Sequence, residues 1–373
     1  MKIPPFCPNK CCSHYNNPVL PSCWFVKDGH FSTNLNGSIQ RFKCKSCGTH
    51  FSSQTFSLDY MVERRISYQQ LINHLVTSSG IRDIARTLKC SPRTVTNRIS
   101  RLARQAMAIH ADLCSELTLS EDLVADGFES FTCSQYFPNN IQILAGKESQ
   151  FWFLSDYAHL RRKGRMTVYQ KARNIELQAR FIHNRITIYE SFERLALMVL
   201  ELQKRGMLSP VHLFTDEHLQ YVKVLKKLTA EQRLHVRHIR LSSKKVRNVR
   251  NPLFSVNYLD REIRKDCAEH TRETVQFARN AGNSMERLAI YRLHHNYRKP
   301  FRINGKEESE ITHAEKAGIP KDKIRREMAT LFTQRRFLGR IKGFTTSDAL
   351  VWLRFVVTPL KQYADYLPAY AWA

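Results

Sequence analysis

Two short apolar runs that each end on an aspartate constrain the fold of this chain most strongly. Residues 123–125 lead to Asp126, followed by Gly127, and residues 211–215 lead to Asp216. Short apolar runs bounded by turn-forming residues are typical of buried strands. A carboxylate at the end of a buried strand is costly unless a cation or hydrogen-bond donors meet it. We therefore expect the two aspartates to share one site.

The surrounding residues predict a multidomain α/β protein with a mixed sheet and flanking helices. A chain of 373 residues is long enough for about two or three domains. Further strands are expected at 142–145, 151–154 and 234–241. Helices are expected at 217–227, 254–277 and 284–296, with a basic helical insertion at about 156–206. Residues 301–373 predict a C-terminal helical extension that includes a helix at 323–342.

Carboxylates delivered by separate strands suit a divalent metal site. Their hard oxygen ligands favour Mg²⁺ or Mn²⁺, and two-metal phosphoryl transfer uses about three such groups. In the helix at 254–277, Asn257, Asp260 and Arg264 share one face, where a third acid is expected to approach. By residue chemistry alone, an aspartate in either position is more often an ordinary cap or loop acid.

Most of the ten cysteines lie in the first 47 residues, where they form two close pairs. One pair is a C-x2-C knuckle, and the other begins at Cys7 and closes at Cys11 or Cys12, with Cys23 left over. Four thiolates in two pairs favour tetrahedral zinc, and 41–43 and 50–51 predict short strands beside the knuckle. We predict a zinc ribbon over residues 1–60; reduced structural cysteines are the alternative. The expected zinc ligands are Cys7, Cys12, Cys44 and Cys47.

Residues 61–110 predict three helices in a helix-turn-helix arrangement. Ser67 is placed to cap the first helix, Gly80 ends it, and Ser91 followed by Pro92 begins the third. In such a unit the last helix enters the major groove of DNA. A generic three-helix bundle is the alternative. The side chains expected to face outward and contact DNA are Arg93, Thr94, Thr96, Asn97, Arg98 and Arg101.

The net charge of the chain implies a polyanionic partner. The formal charge is +26 and the isoelectric point is about 9.9, which makes double-stranded DNA the first candidate. Basic residues in 161–173 are candidate contacts for the DNA backbone, and 244–250 forms a second basic loop. A merely solvated basic surface is the alternative. Since no apolar run approaches the roughly 20 residues that span a bilayer, we expect a soluble, cytoplasmic, nucleoid-associated protein without membrane contact.

Three stretches carry a family resemblance. Residues 41–47 read Arg-Phe-Lys-Cys-x-x-Cys, and 124–128 read Val-Ala-Asp-Gly-Phe. The most specific stretch joins Arg264 to 271–280, Thr-Arg-Glu-Thr-Val-Gln-Phe-Ala-Arg-Asn. Together these resemble bacterial insertion-sequence transposases of the DDE class, in particular the insertion sequence one type, with the ribbon and helix-turn-helix part and the catalytic part in one chain. The resemblance covers most of residues 5–105 and 120–300.

The resemblance implies a ribonuclease-H-like catalytic domain over residues 120–300 and assigns the third acid. The family's catalytic glutamate aligns with Asn257, which cannot replace a carboxylate as a full metal ligand. Allowing a small insertion places the acid on Asp260, with Glu262 and Glu286 as alternatives. Arg264 is then expected to contact a DNA phosphate near the site. The implied ligands of catalytic Mg²⁺ or Mn²⁺ are Asp126, Asp216 and Asp260.

The activity implied by the resemblance is metal-dependent cleavage and strand transfer of an insertion element. Such an enzyme binds terminal inverted repeats and joins them to target DNA, as a homodimer or higher oligomer on the DNA. The alternative is a non-catalytic, sequence-specific DNA-binding regulator derived from a transposase. A structure-specific nuclease, which cuts DNA without rejoining it, is a third hypothesis.

Overall fold

The computed structural model describes residues 4–16, 24–206, 211–232, 234–242, 244–271, 276–302 and 311–371. Cys23 and residues 272–275, which belong to the most specific stretch of the family resemblance, lie outside this range. The described residues form a three-stranded sheet near the N-terminus and a five-stranded sheet with helices around it.

The small sheet is antiparallel in the order β1-β2-β3. Its strands are β1 Phe25–Thr33, β2 Gly37–Cys44 and β3 His50–Ser52. The strands expected at 41–43 and 50–51 fall within β2 and β3, and β1 is an additional strand. Trp24, Phe42 and Phe51 pack with the cysteines in a small core of their own. This core contains few apolar side chains, so a bound metal is expected to stabilise it.

Three helices follow where the sequence predicts them. They are α1 Tyr68–Leu75, α2 Ile81–Thr87 and α3 Pro92–Cys114. The hydroxyl of Ser67 accepts a hydrogen bond from the backbone of Gln70, and that of Ser91 accepts one from Thr94, so both predicted N-caps are present. Helix α3 extends beyond the predicted unit because its C-terminal half is also apolar and buried. It therefore links the first helices to the main core.

The large sheet has the order β6-β5-β4-β7-β8. The strands are β4 Leu123–Phe131, β5 Pro138–Gly146, β6 Trp152–His159, β7 Val211–Thr215 and β8 Val236–Arg240. Strands β4, β5 and β6 pair antiparallel, whereas β7 lies parallel to β4 and β8 lies parallel to β7. The predicted mixed sheet is confirmed; β4, β5 and β6 are longer than the sequence suggested, whereas β8 is shorter than the predicted 234–241.

Eight more helices surround this sheet in the described part of the chain. They are α4 Val168–Ala179, α5 Ile188–Lys204, α6 Leu219–Gln232, α7 Phe254–Asp266, α8 Ala281–Tyr297, α9 His313–Lys316, α10 Lys321–Ala329 and α11 Thr346–Trp352. Two predictions about helix length are wrong. Helix α7 ends at Asp266, before the predicted end at 277, and the helix expected at 323–342 is only α10 followed by turns.

One hydrophobic core joins the three-helix unit, the large sheet and the C-terminal residues. Helix α3 packs against α8, and Phe192, Leu195 and Val199 of α5 are buried in the same core. Helix α5, which lies within the predicted helical insertion at 156–206, thus packs against β5 and β6 of the sheet. Among the described helices, none has the length and apolar content to cross a membrane.

Candidate metal centres

Four cysteine sulfurs converge beside the small sheet. Their Sγ atoms all lie within 4.8 Å of one another, and no other group of three or more Cys, His, Asp or Glu in the described residues is as compact. The Sγ atoms of Cys7 and Cys47 are 3.6 Å apart, and those of Cys12 and Cys44 are 3.8 Å apart. These four residues are the predicted set, and their spacing suits tetrahedral zinc.

Local backbone structure explains why these four sulfurs meet. Gly48 has a φ of +71° and its N–H donates to the carbonyl of Cys44, which closes the knuckle turn. In the first pair, Cys12 is buried within the cluster, whereas Cys11 is exposed and outside it. The choice between Cys11 and Cys12 that the sequence left open is therefore resolved in favour of Cys12.

The thiols of this cluster differ in acidity. Burial raises the pKa of Cys7 above its ordinary value. Burial also opposes ionisation of Cys47, but hydrogen bonds with Thr49, Cys7 and Cys12 together outweigh it and lower the pKa of Cys47 to about 6. Metal ligation requires thiolates, so zinc binding at this cluster releases protons. The cluster therefore fits a structural zinc ion in its donor set as well as its spacing.

The register of the large sheet brings the two predicted aspartates side by side. Strands β4 and β7 are parallel, with Val124 opposite Phe214, so Asp126 and Asp216 each follow two residues later. The prediction that the first strand ends at Gly127 is wrong, because β4 continues to Phe131 in pairing with β5. Asp126 thus lies within a central strand, at the level where β7 leaves the sheet.

Gly127 has a packing role in this strand. A Cβ atom at this position would collide with the side-chain amides of Asn140 and Gln142 on β5. Gln142 in turn accepts a hydrogen bond from the hydroxyl of Tyr221 on α6, at 3.0 Å. The glycine that suggested a strand break therefore allows polar side chains to pack closely over the sheet next to Asp126.

The electrostatic environment of Asp126 is that of a carboxylate beside other carboxylates. Burial and the charge of Asp216 raise the pKa of Asp126 to about 6, against the opposing effects of the Gly127 N–H and Arg247. The Gly127 N–H donates to Asp126 Oδ1 at 2.7 Å, and the His218 N–H donates to Asp216 Oδ1 at 3.0 Å. Nearby like charges are unfavourable unless a cation lies between them.

Asp260 on α7 is the third carboxylate of this group. Burial and the charge of Asp126 raise the pKa of Asp260 to about 8, while Arg264 and Arg247 act in the opposite direction. The oxygens of Asp126, Asp216 and Asp260 are not all within 4.8 Å of one another, unlike the four sulfurs. The three acids therefore form an open cluster whose charges act on one another.

The two alternatives for the third acid are engaged elsewhere. Glu262 is buried and ion-paired with Lys299 and Lys265. Glu286 is fully buried and accepts hydrogen bonds from Ser100, Arg104 and Arg354. Both glutamates are engaged by neighbouring cations, so neither is available to join Asp126 and Asp216.

A cavity of about 570 Å³ opens over Asp126 and Asp216. Asn257 of α7 also lines it, and both basic stretches noted in the sequence contribute to its walls. Tyr221, which the sequence did not suggest, lines the same cavity as both aspartates. Burial and the charges of Asp126 and Asp216 raise the pKa of Tyr221. The cations that line the cavity are Arg161, Arg162, Lys163, Lys245 and Arg247.

Arg264 lies on the carboxylate side of α7, as predicted from its position in the helix. Its guanidinium donates to the carbonyl of Glu129 at 3.0 Å and lies 5.5 Å from the centroid of the Phe128 ring. Because its charge also lowers the pKa of Asp260, Arg264 partly compensates the acidic cluster.

No protein-family model matches this chain, and no curated protein matches its sequence. Its function must therefore be inferred from the two clusters and from the charged surfaces around them.

Only some of the α3 side chains that were predicted to face solvent and contact DNA are exposed. Arg93 is exposed, and Thr94, Thr96 and Asn97 are partly exposed. The prediction for Arg98 and Arg101 is wrong, since these side chains are buried.

Buried carbonyl acceptors explain the position of these two arginines. Arg98 donates to the carbonyl of Arg64 at 2.7 Å, and Arg101 donates to those of Leu58 and Tyr60 at 3.1 and 2.6 Å. The two side chains therefore fix the segment before α1 to the third helix. The surface beside the start of α3 is basic through other residues, Arg64, Arg82, Arg86 and Lys89.

Proposed function

We propose that this protein is a DDE-type DNA transposase that cuts and joins DNA strands with divalent metal ions. The observation that carries the proposal is that Asp126 of β4 and Asp216 after β7 line a cleft walled by five cations, with Asp260 of α7 close enough to Asp126 for their charges to interact. The charge of Asp216 raises the pKa of Asp126, and the charge of Asp126 raises the pKa of Asp260, an arrangement that favours a bound cation. The surrounding basic side chains suit a phosphodiester substrate.

The arrangement of the sheet supports this proposal. Three antiparallel strands followed by two parallel strands, with an acid on the first strand and another after the fourth, agree with a ribonuclease-H-like domain. The third acid then comes from a helix after the last strand. This order brings acids from distant parts of the chain together, as two-metal phosphoryl transfer requires.

Each group in the cleft has a defined part in this reaction. Asp126, Asp216 and Asp260 would hold Mg²⁺ or Mn²⁺, which would supply activation of water or a 3′-hydroxyl and stabilisation of the leaving oxygen. Arg161, Arg162, Lys163, Lys245 and Arg247 bind the phosphates on either side of the reacting one. Tyr221 and Gln142 hold the floor of the cleft in place through their hydrogen bond.

The N-terminal elements are proposed to recognise the ends of the element. Helices α1 to α3 act as a helix-turn-helix unit in which Arg93, Thr94, Thr96 and Asn97 reach DNA. The ribbon binds Zn²⁺ through its four cysteines and adds a further DNA-facing surface. Since two ends must meet for strand transfer, the active form is at least a dimer.

Substitution of the sheet aspartates tests this activity. In Asp126→Asn and Asp216→Asn we expect Mn²⁺-dependent cleavage and joining of DNA to fall on the order of a thousandfold, since metal ligation supplies several kcal/mol to the transition state. Gel analysis of labelled duplexes measures both steps. The matched control is Asp322→Asn on α10, an exposed site outside the cleft.

A second candidate function is a DNA-binding regulator without catalysis, favoured by the open spacing of the three acids. This candidate predicts that the wild-type protein binds DNA but cuts none at any Mn²⁺ concentration. Equal cleavage by the wild type and Asp126→Asn would also contradict the proposed enzyme.

A further inference from the structure

A second basic groove lies beside α7. Its volume is about 850 Å³, and it does not include Asp126, Asp216 or Asp260. Two acids, Glu148 and Glu262, contribute to its walls, and Glu262 is already paired with lysines. The groove is therefore strongly cationic. Its basic side chains are Lys147, Arg250, Arg261, Lys265, Lys299 and Arg302.

Helix α7 separates this groove from the carboxylate cleft. Phe254, Tyr258, Arg261 and Lys265 line the groove and follow one another at helical spacing, which places them on one side of α7. Asn257 instead lines the cleft over the aspartates. One helix thus presents a catalytic face and a second face of cations and aromatic rings.

Aromatic rings orient the cations of this second face. The Arg261 guanidinium and the Lys299 ammonium each lie 5.3 Å from the centroid of the Tyr258 ring. The Arg261 side chain is nevertheless 71% exposed and that of Lys265 is 62% exposed. Lys265 is instead held by an ion pair with Glu262. Arg261 and Lys265 both remain largely exposed, so their side chains are accessible to an anionic ligand.

The groove and the cleft meet at one loop. Asn251 lines both cavities, and in the same loop Arg247 lines the cleft while Arg250 lines the groove. A DNA backbone that crosses this loop from the cleft continues along the groove. Duplex DNA carries one negative charge for about every 1.7 Å of its axis, so a ligand long enough to leave the cleft has phosphates to place there.

We propose that the groove binds the phosphate backbone of duplex DNA beyond the segment held over the carboxylates. This inference rests on the proposed function in that DNA is the ligand, but the binding itself requires no divalent metal. The groove binds the flanking duplex, so the DNA-binding surface of the enzyme continues beyond the reacting phosphate.

The salt dependence of DNA binding tests this proposal. For Arg261→Gln/Lys265→Gln we expect weaker binding of a duplex of about 30 base pairs, and a slope of log affinity against log salt that is lower by about 1.8, since each phosphate contact contributes about 0.9. Fluorescence anisotropy at several KCl concentrations, in buffer with no added Mg²⁺ or Mn²⁺, measures the slope without catalysis and leaves the zinc of the ribbon in place.

Two further variants make the result specific. Lys223→Gln/Lys226→Gln removes two exposed lysines of α6 that lie outside both cavities, and we expect the wild-type slope. Arg261→Lys/Lys265→Arg keeps the charge and should also keep the slope, which separates charge loss from misfolding.

An unchanged slope in Arg261→Gln/Lys265→Gln, or an equal fall in the α6 pair, would overturn the groove proposal. Absence of metal-dependent cleavage in the wild type would instead overturn the proposed enzyme and leave the salt measurement intact. The two proposals therefore fail by different observations.

Discussion

At the residue scale, two acids of the proposed metal site, Asp126 and Asp260, are protonated more readily than an ordinary aspartate. The pKa of Asp126 is about 6 and that of Asp260 is about 8, because burial and neighbouring carboxylates disfavour the ionised forms. A cation in the cleft reverses this balance, since it favours the ionised carboxylates. The metal-free cleft is consequently a source of instability near neutral pH.

The pH dependence of stability follows from these pKa values. The pKa of Asp260 rises from 3.8 to about 8 on folding, so the folded state binds the proton of this group more tightly than the unfolded state. The resulting contribution to the free energy of unfolding is fully present below about pH 4 and is lost as the pH rises through 8. Without added Mg²⁺ or Mn²⁺, we expect the free energy of unfolding of Asp260→Asn to fall less between about pH 5 and 8 than that of the wild type. Urea denaturation at both values measures this, and parallel losses in the two proteins would contradict it.

The buried glutamate of α8 has a structural role that can be measured. Glu286→Gln leaves the fully buried Arg104 and the largely buried Arg354 without their negative partner. We expect a loss of about 3–5 kcal/mol in the free energy of unfolding, which is typical when one member of a buried pair is removed. Glu148→Gln, at a side chain that is 70% exposed, serves as the control and should cost under about 1 kcal/mol. Similar urea midpoints for both variants would contradict a buried ion-pair role.

At the scale of elements, the sequence predicted which segments form strands and helices better than where they end. Caps are local, so Ser67 and Ser91 identified the starts of α1 and α3. Gly127 led to the wrong prediction of a strand end, because a glycine inside a strand cannot be distinguished in the sequence from a glycine in a turn. The length of α3 depends on the apolar surface of α8 against which it packs, which no local pattern reports.

The ribbon offers a direct test of an alternative that the sequence left open. We expect Cys12→Ser to lose tightly bound zinc, since its Sγ belongs to the four-sulfur cluster. Cys11→Ser should retain about one zinc per chain, because Cys11 is exposed and outside the cluster. Metal analysis after dialysis measures the content, and equal zinc in the two variants would contradict the assignment.

At the scale of the whole molecule, two openings beside α7 are lined by basic side chains. The sequence located Asp126, Asp216 and Asp260 and the basic stretches near them. It misplaced Arg98 and Arg101, because the burial of a long cationic side chain depends on carbonyl acceptors from distant residues. It also missed Tyr221 and the second groove, since both arise only when α6 and α7 pack beside the sheet.

The central claim is that the three acids hold divalent metal beneath a DNA-binding cleft. Anomalous diffraction from crystals of the protein with Mn²⁺ and a short duplex tests it most directly. We predict manganese peaks about 2.2 Å from carboxylate oxygens of Asp126 and Asp216, with Asp260 in the same coordination shell. Crystals with ordered DNA in the cleft but no manganese at these acids would contradict the claim.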